Sequence, residues 1–172
     1  MNSTLTLVLM AGLSGSGKST LAAALDHELR WHHINKDRYR EVLIEQGLDE
    51  EKAGRIAYEL AFATARGVLT ESKASVILDS SALYKFTLEN AMHIVKTVAN
   101  ARLKVILCVA DRDMRHERMR NRTPQDSAIR IDPETIADYL QLFKHLPSDT
   151  LTLYTFDSIE KCLAIAMDYL TN

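Results

Sequence analysis

Eight consecutive residues near the N terminus have the composition and spacing that bind a chain of phosphates. The segment Gly12–Ser19, here called the phosphate loop, reads GLSGSGKS and fits the pattern G-x-x-x-x-G-K-[ST]. Glycines let successive backbone N–H groups point at phosphate oxygens, the lysine reaches the outer phosphates as a point charge, and the serine hydroxyl is a magnesium ligand. The residues predicted to hold the nucleotide are Gly12, Ser14, Gly15, Ser16, Gly17, Lys18, Ser19 and Thr20.

A carboxylate and an arginine follow at positions that suit transfer of a phosphoryl group. Phosphoryl transfer to an alcohol needs a carboxylate that accepts the hydroxyl proton and aims the oxygen at the γ-phosphate. We predict that Asp37 is this base, although an aspartate before a helical segment is also suited to cap that helix. Arg40 shares the predicted helix face with Asp37, so it could hold the carboxylate or bind an acceptor phosphate. The alternative for Arg40 is a weak surface ion pair with a nearby glutamate.

Asp79 ends a short apolar segment at 74–79, which is typical of a buried strand. A carboxylate at that position can hold magnesium through water or accept a hydrogen bond from Ser19. We therefore predict Ser19 and Asp79 as the metal site. The alternatives for Asp79 are a cap for the next helix or a contact with the serines at 80 and 81.

A cluster of arginines without any lysine occupies residues 112–130. Arg115, Arg118 and Arg122 share one helical face by their spacing of three and four. Planar guanidinium groups suit the charge that develops on a transferring phosphoryl group. We predict a mobile lid over ATP at about 112–131, in which Arg118 and Arg122 bind the nucleotide and Arg122 also takes part in catalysis. The alternative is a solvated helix face balanced by neighbouring acids.

The elements that must position these residues alternate between strands and helices. Apolar segments predict strands at 5–11, 31–35, 74–79, 103–110 and 151–155. Helices are predicted at 18–30, 37–46, 50–72, 85–100, 112–122, from Asp132-Pro133-Glu134 onward, and at 158–170. This order predicts an α/β fold with a parallel sheet covered on both faces, in which ligands bind at the carboxyl ends of the strands. We therefore expect the phosphate loop, Asn35-Lys36-Asp37, Asp79 and the start of the arginine-rich segment to meet in one cleft.

Composition narrows the class of protein further. The 172 residues are 47% hydrophobic, which predicts a single folded domain over 1–172. The net charge of −2 gives no general field for a nucleic-acid backbone, so a nucleic-acid partner is possible but not favoured. Cys108 and Cys162 lie in apolar segments and are expected as buried free thiols. The first apolar segment is too short to span a membrane, and we expect a cytoplasmic protein.

The order of these segments resembles that of the small P-loop kinases. The segments that carry the resemblance are GLSGSGKST, HINKDRYREVL, SVILDSSAL, DMRHERMRNR and RIDPETIADYLQLF, and they are most similar to the kinase domain of phage-type polynucleotide 5′-hydroxyl kinase. The resemblance implies a three-layer P-loop fold with a five-stranded parallel sheet, as in nucleoside monophosphate kinases, and ATP with magnesium as cofactors. It also implies roles for single residues, with Lys18 and Ser19 at the phosphates, Asp37 as base, Arg40 at the acceptor's phosphate, Asp79 as the strand-end aspartate and Arg122 on ATP.

Together these patterns predict an ATP-dependent kinase whose acceptor is a hydroxyl group, either on a nucleic-acid 5′ end or on a small alcohol. The alternative is a nucleotide-binding module or NTPase that acts on a partner protein, although no switch signature is evident. The sequence predicts neither the oligomeric state nor the residues of the acceptor cleft. Candidates for that cleft are Tyr58, Arg66, Tyr84 and Lys85.

Overall fold

A computed structural model of the chain describes residues 4–120 and 131–171. Its centre is a five-stranded sheet in the order β2-β3-β1-β4-β5, and every pair of neighbouring strands is parallel. The strands are β1 (Leu5–Ala11), β2 (His32–Asn35), β3 (Val76–Asp79), β4 (Ala101–Val109) and β5 (Leu151–Tyr154). All residues of the central strand β1 are buried, as expected for a strand covered on both faces. The predicted α/β fold with five parallel strands is confirmed.

Helices cover the two faces of the sheet and enclose two cores. They are α1 (Lys18–Leu29), α2 (Lys36–Glu45), α3 (Glu50–Gly67), α4 (Lys85–Thr97), α5 (Arg112–Arg120), α6 (Ile136–Leu142) and α7 (Ile159–Thr171). Residues of β1 alternate between the cores: Leu7 and Leu9 pack with α3, α4 and α6, whereas Val8 and Met10 pack with α1 and α7. In the described part of the chain, no helix has the length and apolar character needed to cross a membrane.

Helix α3 separates a core face from an open face. Its buried residues are alanines spaced four apart, namely Ala53, Ala57, Ala61 and Ala65. Small side chains at this spacing form one stripe and let the helix lie close to the core. The helix was predicted to run from 50 to 72, but its α-helical part ends at Gly67 and one π-helical turn follows over Val68–Ser72.

The predicted start of a helix at Asp132-Pro133-Glu134 is wrong. Helix α6 begins at Ile136, and the Thr135 side chain caps it by accepting a hydrogen bond from the Asp138 N–H at 3.1 Å. The Asp132 carboxylate forms ion pairs with cations of α5 instead. The capping pattern predicted the wrong start for α6 because the Asp132 carboxylate, which would have to cap the helix, contacts α5 instead.

Tyr139 of α6 fixes the point where β1 enters the phosphate loop. Its hydroxyl accepts a hydrogen bond from the Leu13 N–H at 2.7 Å and donates one to the Cys108 carbonyl at 2.8 Å. The side chain is buried, and burial raises the pKa of Tyr139 to about 12. The hydroxyl therefore stays protonated at neutral pH and joins α6 to the ends of β1 and β4.

Tyr139→Phe is expected to lower the free energy of unfolding by about 1–3 kcal/mol, because it leaves the Leu13 N–H without its acceptor. Urea denaturation measures the change. Tyr154→Phe is the matched control, since Tyr154 is 44% exposed, and it is expected to change the stability by less than about 0.5 kcal/mol. Equal losses in the two variants would contradict the assigned role of the Tyr139 hydroxyl.

Candidate active site

The phosphate loop ends at the N terminus of α1 without any side-chain cap. Gly17 is the N-cap, with φ of 84°, and no side chain bonds to the first N–H groups of the helix. Those N–H groups and the positive end of the helix dipole are available to an anion. Lys18 is the first residue of α1 and lines the adjoining cavity. This geometry is suited to an anion, and the assignment of these residues to a phosphate site stays a prediction.

Gly15 brings the phosphate loop against the backbone of α5. It has φ of 78°, and a Cβ atom placed on it would lie 2.6 Å from the Arg115 carbonyl oxygen and 2.8 Å from the Arg115 Cα. Both distances are shorter than van der Waals contact, and the colliding atoms are backbone rather than a side chain that could move. The loop conformation therefore requires glycine at this position.

Gly15→Ala is expected to weaken nucleotide binding by about tenfold or more, because the loop must shift away from α5 by enough to disturb its inward-pointing N–H groups. Calorimetric titration with a non-hydrolysable ATP analogue measures the effect. Gly67→Ala is the control, since a Cβ there meets no atom within 4 Å, and nucleotide affinity is expected to be unchanged. Unaltered affinity in Gly15→Ala would show that the loop does not bind the phosphates in this conformation.

Arg118 and Thr155 donate hydrogen bonds to backbone carbonyls of the phosphate loop. Arg118 donates from Nη1 to the Gly15 carbonyl at 3.2 Å and from Nη2 to the Thr155 carbonyl at 2.7 Å. The Thr155 hydroxyl donates to the Ser16 carbonyl at 2.8 Å. Arg118 also lines a cavity of about 360 Å³ beside Gly17 at the start of α1. Its contact with ATP stays a prediction, and the predicted role of Arg122 falls outside the described residues.

A buried ion pair lies below the same loop. The Arg115 side chain is fully buried, donates from Nη2 to Asp132 Oδ1 at 2.8 Å, and lies 5.7 Å from the centroid of the Tyr139 ring. Asp132 also accepts from Arg112 at 2.7 Å and is 2.9 Å from His116 Nε2. Burial raises the pKa of Asp132, but these three partners outweigh it and hold the pKa below its usual value. The alternative of a solvated arginine face is thus wrong for Arg115.

Asp37 lies in the first turn of α2 with its carboxylate at the cavity. Asn35 caps the helix, since its Oδ1 accepts from the Asp37 N–H at 2.9 Å and from the Arg38 N–H at 3.4 Å. The capping role considered for Asp37 therefore belongs to Asn35. Partial burial raises the pKa of Asp37, but Lys36, with Lys18 further away, outweighs it and lowers the pKa. The carboxylate is ionised at neutral pH.

Asp79 lies beside Met10 at the carboxyl end of the sheet and is 2% exposed. Its Oδ2 accepts a hydrogen bond from Asn35 Nδ2 at 3.1 Å, whereas its buried Oδ1 has no hydrogen-bond partner among the described residues. A buried carboxylate oxygen without a partner fits a role as acceptor from magnesium-bound water, together with the Ser19 hydroxyl. Within residues 4–120 and 131–171, no cluster of three metal-ligating side chains occurs. Magnesium bound here would depend on phosphate and water oxygens, which is its usual preference.

A cavity of about 830 Å³ adjoins the phosphate loop between α2, α3 and α4. Lys18, Asp37 and Arg40 all line it, so the expected convergence is observed for the phosphate loop and Asp37. Asp79 and the described residues of the arginine-rich segment do not line this cavity, and Arg118 lines the separate cavity beside Gly17 instead. Arg40 forms an ion pair with Glu50 of α3 at 3.1 Å, which joins α2 to α3. Among the candidates for the acceptor cleft, Tyr58, Arg66 and Tyr84 line the cavity; Lys85 does not line it and pairs with Glu89 at 3.3 Å.

The sequence placed Lys36 at the cleft with Asn35 and Asp37 but predicted no role for it. Its Nζ is 2.5 Å from Asp37 Oδ1 and 4.9 Å from the centroid of the Tyr58 ring. Its side chain is only 11% exposed, which is unusual for lysine. The available signal was its position between the capping Asn35 and Asp37, which forces it to the end of the strand beside the predicted base.

Comparisons with known proteins identify the sequence family and the fold. A sequence-family model described as an AAA domain matches residues 7–146. A candidate kinase from Chloroflexus aurantiacus has a similar structure, with a TM-score of 0.69, 24% identity, and coverage of 97% of this chain and 99% of that one. The APS kinase of Mycobacterium tuberculosis in complex with AMPPNP and APS gives a TM-score of 0.68 at 17% identity, covering 99% of both chains.

A gluconokinase from Sinorhizobium meliloti gives a TM-score of 0.64 at 14% identity, covering 98% of this chain and 93% of that one. At these identities the similarity establishes the fold. A search of curated protein sequences gives no significant match. The three-layer arrangement inferred from the sequence is thus shared with solved proteins that are described as kinases.

Proposed function

We propose that this chain, which belongs to the family described as an AAA domain, is an ATP-dependent kinase. It would transfer the γ-phosphate to a hydroxyl group of a small molecule. The observation that carries the proposal is that Lys18 of the phosphate loop and the carboxylate of Asp37 line one cavity. One group is suited to the donor phosphates and the other to the acceptor hydroxyl. An acceptor in this cavity would reach both.

The phosphate loop and α1 supply the donor side. Backbone N–H groups of the loop and the dipole of α1 would bind the β-phosphate, and Lys18 would neutralise charge on the γ-phosphate as it transfers. Ser19 and Asp79 would hold Mg²⁺, which when bound neutralises phosphate charge and orients the γ-phosphate. Arg118 and Arg122, the arginines of the predicted lid, are proposed to contact ATP as well.

Asp37 supplies the acceptor side. Its ionised carboxylate would accept a hydrogen bond from the acceptor hydroxyl and aim that oxygen at the γ-phosphorus. As the new P–O bond forms, the bond from the γ-phosphorus to the bridging oxygen of ADP breaks, and the hydroxyl proton passes to Asp37. Lys36 keeps the carboxylate ionised and in place. Arg40, held by Glu50 at the rim, is proposed to contact an anionic group of the acceptor.

Two observations favour a small acceptor over a nucleic-acid 5′ end. The cavity of about 830 Å³ is large enough to enclose a metabolite. The net charge of −2 gives no general attractive field for a phosphate backbone. The similar structures include a gluconokinase and an APS kinase bound to APS, which are small-molecule kinases by their descriptions. The polynucleotide acceptor that the sequence resemblance suggested is therefore the second possibility.

A transfer assay tests the proposal. The protein would be incubated with γ-labelled ATP and magnesium, with a 5′-hydroxyl oligonucleotide in one sample and a pool of small alcohols in another. Label on a small alcohol, lost in Asp37→Asn, is the expected result. Label on the oligonucleotide would move the acceptor to nucleic acid. Label only in free phosphate, unchanged in the variant, would overturn the kinase assignment in favour of an NTPase.

A further inference from the structure

The acceptor cavity continues away from Asp37 as a crevice between α3 and α4. Its near end is marked by Tyr58, because Lys36 contacts both the Asp37 carboxylate and the Tyr58 ring. Further along α3, at intervals of four residues, Phe62 and Arg66 also line the cavity. With increasing distance from the proposed base, the α3 side chains that line the crevice are therefore two aromatic rings followed by a guanidinium group.

The near part of the crevice has aromatic walls. Tyr58 contacts Phe62 in a stacked arrangement at 6.1 Å and Phe86 of α4 edge-on at 5.0 Å. Phe86 in turn stacks with Tyr84 at 5.9 Å, and these two rings are 40% and 55% exposed. Exposed aromatic faces that line a cavity offer a flat apolar surface to a ligand ring.

Arg66 differs from the other cations of the cavity in having no nearby acid. It forms no ion pair with any described residue, and the residues one turn away are Phe62 and Ala63 on α3 and Leu69 and Thr70 in the π-helical turn that follows. Lys36 and Arg40, in contrast, are paired with acids. The α4 residues that line the crevice beyond Phe86 are Asn90, His93 and Ile94, and none of them carries a carboxylate.

Arg55 provides an internal comparison on the same helix. It also lines the cavity, but Glu51 and Glu59 lie one turn on either side of it and line the cavity as well. An anion near Arg55 would meet two carboxylates, whereas an anion near Arg66 would meet none on α3. On the cavity side of α3, the charge of Arg55 is therefore offset by neighbouring carboxylates, whereas no carboxylate lies one turn away from Arg66.

We propose that the acceptor is an alcohol that carries a flat ring and, beyond the ring, an anionic group that Arg66 binds. The inference rests on the proposed kinase function, which places the hydroxyl at Asp37. Tyr58 and Arg66 are eight positions apart, which corresponds to about 12 Å along the helix, so the ring lies between hydroxyl and anion rather than beside them. The guanidinium fork matches a carboxylate or a phosphate, and either group satisfies the site.

Binding of three synthetic alcohols tests the inference without requiring catalysis. The probes are 4′-(hydroxymethyl)biphenyl-4-carboxylate, its uncharged methyl ester, and the single-ring 4-(hydroxymethyl)benzoate. We expect the biphenyl carboxylate to bind at least about tenfold more tightly than its ester, because only the carboxylate carries the charge that forms a bidentate, charge-assisted pair with a guanidinium. The single-ring acid is expected to bind more weakly than the biphenyl acid, since its anion cannot reach Arg66 while its hydroxyl lies at Asp37.

Three arginine variants test which residue distinguishes the acid from the ester. Arg66→Gln is expected to abolish the preference for the biphenyl acid over its ester, Arg66→Lys to restore part of it, and Arg55→Gln to leave it intact. Because Arg66 is exposed, a thermal melt is expected to show that Arg66→Gln folds like the wild type. Equal binding of acid and ester by the wild type, or a preference that survives Arg66→Gln, would overturn the inference.

The same samples keep this inference separate from the proposed function. Nucleotide affinity and transfer of label from ATP are measured alongside probe binding. A preference that depends on Arg66, with no transfer to any alcohol, would support the crevice site and count against the kinase assignment. Transfer to alcohols that lack an anion, with no dependence on Arg66, would support the kinase and refute the anion site.

Discussion

Asp37→Asn is expected to reduce phosphoryl transfer by about 10²–10⁴-fold while leaving ATP affinity unchanged. The amide has the shape of the carboxylate but cannot take the acceptor proton, and it also leaves Lys36 without its ionic partner at 2.5 Å. Single-turnover transfer from γ-labelled ATP measures the chemical step, and calorimetry measures nucleotide binding. A variant that keeps full transfer activity would show that Asp37 is not the base.

A second carboxylate on α2 controls for a general effect of charge. Glu45 is exposed and does not line the cavity, so Glu45→Gln is expected to have wild-type activity. The pH dependence gives an independent check. Because the pKa of Asp37 is lowered from 3.8, its carboxylate stays ionised across neutral and mildly acidic pH. Titration of Asp37 is therefore expected to cause no loss of transfer between about pH 7 and pH 5.

Asp132→Asn is expected to lower the free energy of unfolding by about 3 kcal/mol at pH 7, because it leaves the fully buried Arg115 without its carboxylate. Denaturant titration measures the loss. Glu134→Gln is the control, since Glu134 is 81% exposed and lies 4.0 Å from Arg112, and a change below about 0.5 kcal/mol is expected. A loss of similar size in both variants would contradict the assigned role of the buried pair.

The double variant Arg115→Met/Asp132→Asn separates a buried charge from a lost contact. Removing both charges is expected to recover part of the stability that Asp132→Asn loses. The pH dependence has a defined sign. The pKa of Asp132 is lowered in the folded state, so its contribution to stability is present above the usual value of 3.8 and is lost as the pH falls through the lowered pKa. The difference between wild type and Asp132→Asn should therefore shrink in acid.

The elements that were predicted best are those whose signal is local. The apolar run of β1 and the glycine pattern after it fixed a strand, a loop and a helix within one residue of the observed bounds. The end of α3 was less predictable, because Val68–Ser72 continues the helical periodicity and differs only in its hydrogen bonding. The capping pattern at Asp132 failed because a competing ion pair comes from a segment about twenty residues earlier.

For the candidate site, residue types were predictable and their partners were not. The sequence marked Lys18, Asp37 and Arg40, and the structure brings these three to one cavity. The support of the phosphate loop by Tyr139 and Thr155 was not predictable, because those contacts span 126 and 139 residues and no pattern in the chain links their members. No role was predicted for Lys36 because a lysine beside an acid ordinarily indicates a surface pair.

Helix α3 carries two sets of side chains with different roles. Its alanines at 53, 57, 61 and 65 are buried against the core, while Tyr58, Phe62 and Arg66 line the cavity. Phe62 is partly buried and also packs against the core, so a substitution there costs packing, whereas Tyr58 and Arg66 are not part of the core and changes at these two positions should cost little folding free energy. Libraries that vary Tyr58 and Arg66 should yield folded proteins at high frequency, which makes α3 a natural place to redesign the substrate preference of this scaffold.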